Sequence, residues 1–145
     1  MAVDLGEKRV GFALSDPTGF LASSLDTAHV SNPGEALAAV KRLCAVHAPE
    51  RIVVGLPLNM DGSQGIAAQK ATAFAARLRE KLELPVETWD ERLSTRLVNR
   101  VLIEANVSRR RRREVVDRLA AQVILQSYLD AHGGNDLPEG GEVGC

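Results

Sequence analysis

The stretch Met1-Ala2-Val3-Asp4-Leu5-Gly6-Glu7-Lys8-Arg9-Val10-Gly11-Phe12-Ala13-Leu14-Ser15-Asp16 decides the fold. An acid stands inside one apolar run, a Gly-bearing turn with two bases follows, and a second apolar run returns. Val10, Phe12 and Leu14 alternate with small or polar residues, the period-two pattern of a strand. Strand, tight turn, strand predicts a hairpin, with Asp4 within or at the end of a buried strand. A buried carboxylate needs a cation, a hydrogen-bond network or a proton. Lys8, Arg9 or a metal could supply the charge. An Asp before Gly at a strand end is also a common turn residue, so both roles stay open here.

Beyond the hairpin the elements alternate in type. Phe20 to Ala28 predicts a third strand. Asn32-Pro33-Gly34-Glu35 is a strong helix start, with Asn as N-cap, Pro at N1 and Glu at N3. That helix runs to about His47, with Ala36, Leu37, Val40, Leu43 and Cys44 on one face. Arg51 to Leu56 is a continuous apolar strand, as expected for one covered on both faces. A polar loop from Pro57 to Gly65 leads into a helix ending near Leu82, with Ala68, Ala71, Ala75, Leu78 and Leu82 inward. Pro85 to Trp89 predicts a strand. Leu93 to Ala105 predicts a helix with Leu93, Leu97, Val98, Val101 and Leu102 inward. A last helix begins in the arginine run and carries Val116, Leu119, Ala120, Val123 and Ile124. The pattern is that of an α/β domain with a mixed sheet over residues 1–130. Residues 131–145, acidic and Gly-rich, read as a solvated, disordered tail.

Composition sets outer limits. With 45% hydrophobic and 26% charged residues in 145, the chain reads as one globular, soluble, cytoplasmic domain with a real core. No apolar run approaches the roughly 18 residues a membrane helix needs, and no signal peptide opens the chain, so no membrane partner is expected. Two cysteines, Cys44 and Cys145, make neither a disulfide framework nor a metal cluster. Cys44 reads as a small core hydrophobe. His29 and His47 lack ligand-spaced partners.

In α/β sheets ligands collect beyond the carboxyl ends of parallel strands. Two loops fall there, Gly55-Leu56-Pro57-Leu58-Asn59-Met60-Asp61-Gly62 and Asp90-Glu91-Arg92-Leu93-Ser94-Thr95. The second is also what a helix start looks like, since acids and hydroxyls satisfy free N–H groups there. Asp117 shares a helical face with Ala120, Ala121 and Ile124, and a carboxylate facing a core needs a partner. Arg118 or the arginine run could serve. So could a divalent cation shared with Asp4 and the Asp90-Glu91 pair, and hard oxygen ligands suit Mg²⁺ or Mn²⁺ rather than Zn²⁺. From Arg92 to Arg118 nine arginines face three acids, and Arg109 to Arg113 are consecutive. Such a run can be a solvated face or a docking tract; directly before an acid of a metal site it suits steering of a polyphosphate. With five aromatic residues in the chain, backbone and shape recognition is expected over base stacking.

Four blocks carry a specific resemblance: Asp4-Leu5-Gly6-Glu7-Lys8-Arg9-Val10-Gly11, the Gly55–Gly62 and Asp90–Thr95 loops, and Val116-Asp117-Arg118-Leu119-Ala120-Ala121 with Ile124-Leu125-Gln126. In this order they resemble the YqgF family. These are bacterial proteins with an RNase H-like fold related to the RuvC resolvases, named as pre-16S rRNA nucleases or Holliday junction resolvases. Family members usually have more residues before the first-strand Asp than Met1, Ala2 and Val3. A first strand this short is expected to forfeit ladder hydrogen bonds, and a start further upstream is expected.

The resemblance implies an RNase H-like mixed five-stranded sheet and metal-dependent phosphodiester hydrolysis. Asp4, Glu91 and Asp117 would hold two Mg²⁺ or Mn²⁺ ions, Glu91 ranking ahead of Asp90 by analogy with RNase H-like sites. Lys8, Arg9 and Arg92 would neutralise phosphates, and Asn59, Ser94 and Thr95 would donate hydrogen bonds to the backbone. Arg109, Arg110, Arg111 and Arg112 would attract the substrate. Structured RNA, specifically the 5′ end of pre-16S rRNA in a ribosomal precursor particle, is the expected substrate, acted on by a monomer or homodimer. Three alternatives compete. A resolvase of branched DNA would use the same chemistry and need two active sites, hence a dimer. An ATPase of the sugar-kinase, actin and Hsp70 group would need two such lobes, and 145 residues provide one. A non-catalytic RNA-binding assembly factor would keep the fold without the cleavage.

Overall fold

The computed structural model describes residues 1–132; within them, the side chains of residues 94–97, 116 and 117 lie outside the described set. The expected acidic tail therefore falls almost wholly beyond the described residues, as do the side chains of Ser94, Thr95 and Asp117. Five strands form one sheet: β1 (Ala2–Leu5), β2 (Arg9–Ser15), β3 (Ala22–His29), β4 (Ile52–Leu56) and β5 (Val86–Asp90). Their order across the sheet is β3-β2-β1-β4-β5. The first three are antiparallel neighbours, while β1, β4 and β5 run parallel, so the mixed five-stranded sheet is as expected.

Period-two alternation divides the apolar residues between two layers. Val3, Val10, Phe12, Ile52 and Val54 point to one face, where α1 (Pro33–His47) and α2 (Ile66–Leu82) cover them with Ala36, Leu37, Val40, Ala71, Phe74, Ala75 and Leu78. Ala2, Ala13, Ala22 and Val53 point to the other, against Ala121, Ile124, Leu125 and Tyr128 of α5 (Ala120–Ala131). Side chains on this second face are small, which lets α5 lie close to the sheet. Asp4, two residues after Ala2, belongs to that same face. Between β5 and α5 the chain adds α3 (Glu91–Glu104) and α4 (Arg109–Arg118). Among the described residues no helix is long and apolar enough to cross a membrane.

Local signals explain most boundaries. Asn32 caps α1, accepting from the Glu35 N–H at 2.9 Å, while Glu35 Oε1 accepts from the Ser31 N–H at 2.6 Å. The third strand starts at Ala22 and not at Phe20 because Asp16 organises a turn first. Its carboxylate accepts from the Thr18 hydroxyl and the Phe20 and Leu21 N–H groups, leaving Phe20 58% and Leu21 64% exposed. A bulge in β3 sets two residues, Asp26 and Thr27, opposite Gly11.

Two helices differ from expectation. The apolar stripe of α3 is only partly covered: Val98 and Leu102 are half-buried, but Leu93 and Val101 face solvent, because α3 packs on α5 beyond the sheet edge. The expected single last helix is two, divided at Leu119, whose φ of −110° and ψ of 18° depart from helical values. Asp117 thus lies in the final turn of α4, on a separate helix from Ala120, Ala121 and Ile124.

Candidate active site

The site forms where β1, β4 and β5 end beneath the start of α5. Asp4 pairs across the hairpin with Gly11. A Cβ added at Gly11 would stand 3.7 Å from both Asp4 Cβ and Ala121 Cβ, which locates Asp4 beside the first turn of α5. Glu91 is the first residue of α3, directly after β5. Its carboxylate lies over β4: a Cβ at Gly55 would come within 2.7 Å of Glu91 Oε2 and 2.6 Å of Ile124 Cδ1. Gly55 is therefore the seat of Glu91, and only a residue without a side chain leaves the space. Burial first, then the negative charges of Asp4 and Asp90, push the Glu91 carboxyl from 4.5 up to about 7. Two chain segments that are far apart in sequence thus bring a half-buried carboxylate, Asp4, close to a desolvated one, Glu91.

Asp90, the other acid of the pair, does something else. It is the N-cap of α3 and accepts from the Arg92 N–H at 2.9 Å. Arg92 returns to the same carboxylate, donating from Nε to both oxygens at 3.1 Å and from Nη2 to Oδ2 at 2.8 Å. Arg92 Nη1 also donates to the carbonyls of Met60 at 3.1 Å and Asn59 at 3.4 Å. The amide of Asn59 is itself turned to the Ser63 hydroxyl at 2.9 Å.

A groove of about 750 Å³ opens from Asp4. The hairpin turn, with Gly6, Glu7, Lys8 and Arg9, forms one wall; Ser24, Leu25 and Thr27 of β3 form its far end; Glu114, Arg118, Ala120 and Ala121 close the side above β2. Lys8 and Arg9 are thus where a groove-bound phosphate would meet them. Arg109 to Arg112 are not: they occupy the opposite end of α4, about 9–14 Å along the axis from Arg118. None of the four lines the groove, although Arg110 reaches the groove residue Glu114 at 3.6 Å; Arg112 donates to the Val107 carbonyl at 2.7 Å.

Sequence reasoning passed over Gly55, Ser24, Thr27 and Glu114. Gly55 had a readable signal, since a lone Gly inside an apolar strand marks close approach. The β3 hydroxyls had none, because their strand face depends on the bulge. Among the described residues no group of three potential metal-binding side chains is assembled, the Asp117 side chain lying outside that set.

A family model described as "RuvX: Holliday junction resolvase" matches residues 1–131. The chain belongs to the RuvX family. Membership makes it an enzyme, a nuclease, and bears out the resemblance to YqgF proteins. Relatives of this RuvX chain include a protein of Pelotomaculum thermopropionicum, 48% identical over 98% of this chain and 93% of its own length. Another, from Moorella thermoacetica, is 50% identical over 94% of this chain and 98% of its own. Both bear the name "Putative pre-16S rRNA nuclease". Among solved structures, Thermus thermophilus RuvC aligns with a TM-score of 0.57 at 14% identity, covering 91% of this chain and 94% of RuvC. The likeness establishes the RuvC-type, RNase H-like fold.

Proposed function

We propose that this RuvX chain is a metal-dependent endonuclease that cleaves structured RNA, with the 5′ end of pre-16S rRNA as its substrate. The observation that carries the proposal is that Asp4, which lines a groove walled by Lys8, Arg9 and Arg118, lies close enough to the desolvated Glu91 for its charge to raise the Glu91 carboxyl. The name of the relatives supports the choice of RNA, since they match this chain over nearly its full length.

A divalent cation fits the residues present. Two neighbouring carboxylates, with the desolvated Glu91 unwilling to ionise beside Asp4, are the electrostatic situation that Mg²⁺ or Mn²⁺ relieves. Asp4, Glu91 and Asp117 are proposed to hold it, with Asp90 ranked below Glu91 because its carboxylate is engaged by Arg92. Once bound, the metal would acidify water and stabilise the leaving oxygen of phosphodiester hydrolysis. The chain's own groups do the rest. Lys8, Arg9 and Arg118 offset the phosphate charge along the groove, and the Ser24 and Thr27 hydroxyls offer hydrogen bonds to the sugar-phosphate backbone. The arginine run, set back from the groove, attracts the flanking polyanion.

Asp4→Asn is expected to abolish Mg²⁺-supported or Mn²⁺-supported cleavage of a labelled precursor 16S rRNA 5′ end while leaving RNA binding near wild type. Full cleavage in excess EDTA would overturn metal dependence. A second substrate is favoured by the family's own description as a Holliday junction resolvase. A four-way DNA junction run in parallel decides between them: faster cleavage of the junction, by a dimer, would replace the RNA reading.

A further inference from the structure

The guanidinium of Arg92 is committed before any nucleic acid arrives. Its Nε and Nη2 grip both oxygens of Asp90, and its Nη1 holds two backbone carbonyls of the loop after β4. Arg92 and Asp90 are each only about a quarter exposed, at 25% and 22% of their side chains. Together with the Arg92 N–H to Asp90 Oδ1 bond, these contacts close a ring across the intervening residue, Glu91. The loop that Arg92 grips is internally braced. Asn59 N–H donates to the Ser63 carbonyl at 2.9 Å, Gly62 N–H to the Asn59 carbonyl at 2.9 Å, and the Ser63 hydroxyl to Asp61 at 2.6 Å. It leaves β4 at Leu56, the residue paired in register with Asp90 of β5. One side chain therefore joins the exits of two neighbouring parallel strands, and Glu91 sits inside the joint.

We propose that Arg92 and Asp90 form a positioning clamp that fixes the backbone of Glu91 so that its carboxylate stays over Gly55 beside Asp4, and that ties the 57–65 loop to the same joint. Arg92 is then a positioning residue and not a phosphate contact. The inference rests on the nuclease reading of Asp4 and Glu91. The chemistry demands arginine: a planar fork satisfies a carboxylate bidentately while its remaining nitrogen spans to a carbonyl, and a lysine ammonium does neither.

The test compares R92K, R92Q, D90N and the D90N/R92K double variant, and Asn at 90 keeps the helix cap. Two readouts are taken: amide hydrogen exchange of segment 57–63 in the free protein, and kcat and KM on a labelled precursor rRNA 5′ end. R92K and D90N are each expected to speed loop exchange at least tenfold and to lower kcat at least tenfold, with KM within threefold of wild type. The double variant should be no worse than the worse single. If Arg92 instead binds phosphate, R92K keeps wild-type exchange and kcat, R92Q raises KM, and D90N tightens RNA by freeing the guanidinium; that pattern would overturn the clamp. So would loss of activity in D90N alone with R92K active, which would make Asp90 a ligand. Should the wild type cleave no nucleic acid, the nuclease reading fails, and unchanged or accelerated exchange still decides the clamp by itself.

Discussion

Glu91→Gln removes one ionisable group from the site and almost no volume, so its effect reads the electrostatics directly. In the folded protein the Glu91 carboxyl is pushed from 4.5 up to about 7, chiefly by burial and then by Asp4 and Asp90. Between those two values the native state holds a proton that the unfolded chain has released. Wild-type stability therefore falls as pH rises from about 4.5 to about 7 and is level above that. At roughly 1.4 kcal/mol per pH unit the full window is worth about 3 kcal/mol, and partial access of water to Glu91 reduces this to about 2 kcal/mol. Glutamine carries no charge and escapes the penalty. E91Q is expected to match wild type at pH 4.5, exceed it by about 2 kcal/mol at pH 8, and melt about 4–8 °C higher there. Urea denaturation in EDTA at both pH values measures the difference. Millimolar Mn²⁺ should then raise wild-type stability at pH 8 and leave E91Q unmoved. An E91Q protein no more stable than wild type at pH 8, or equally stabilised at both pH values, would refute the burial of Glu91 beside Asp4.

Gly55→Ala should cost only about 1–3 kcal/mol, because the atoms that a Cβ meets first are the ends of the Glu91 and Ile124 side chains. It should still lower kcat at least tenfold by displacing the Glu91 carboxylate; near-normal kcat in a folded G55A protein would remove Gly55 as its seat. Replacing Arg109 to Arg112 with Gln should reduce the log–log salt slope of RNA binding by roughly 0.7–0.9 for each phosphate that is no longer neutralised. It should also stabilise α4 slightly, since four cations leave a helix N-terminus, and an unchanged slope would mark the run as a solvated face. Tyr128→Phe removes a hydroxyl that donates to Glu87 at 2.6 Å and accepts from Arg51 at 3.0 Å. The expected loss is about 1–2 kcal/mol in urea denaturation, and a loss near zero would mean water takes over both bonds.

Features set by local chemistry were legible in the sequence. The β1–β2 hairpin, the Asn32-Pro33 start of α1, the doubly covered β4 and the apolar face of α2 follow from period, cap and turn residues alone. Features set by tertiary packing were not. Leu119 and its neighbours satisfy one continuous helical pattern, and it takes the sheet surface under α5 to make a break there worthwhile. The acid-acid-arginine run at 90–92 announced chemistry, but nothing in its spacing tells which acid turns toward Asp4 and which is captured by Arg92. Asp16 shortened β3 through side-chain bonds that compete with the ladder, a contest that strand propensity does not register.

The central position of β1 has a consequence for how the enzyme comes into being. Asp4 is synthesised well before its surroundings, on a strand whose inner neighbour β4 is about fifty residues later and whose covering helix α5 is more than a hundred residues later. Glu91 follows directly after β5, and the helix that packs beside both acids, α5, about thirty residues after that. At ordinary synthesis rates roughly ten seconds separate the first acid from the helix that completes its surroundings. Throughout that interval the nascent chain holds the hairpin bases Lys8 and Arg9 but no assembled pair of carboxylates. The nascent chain thus carries Asp4 and Glu91 without their shared surroundings until α5 has been made.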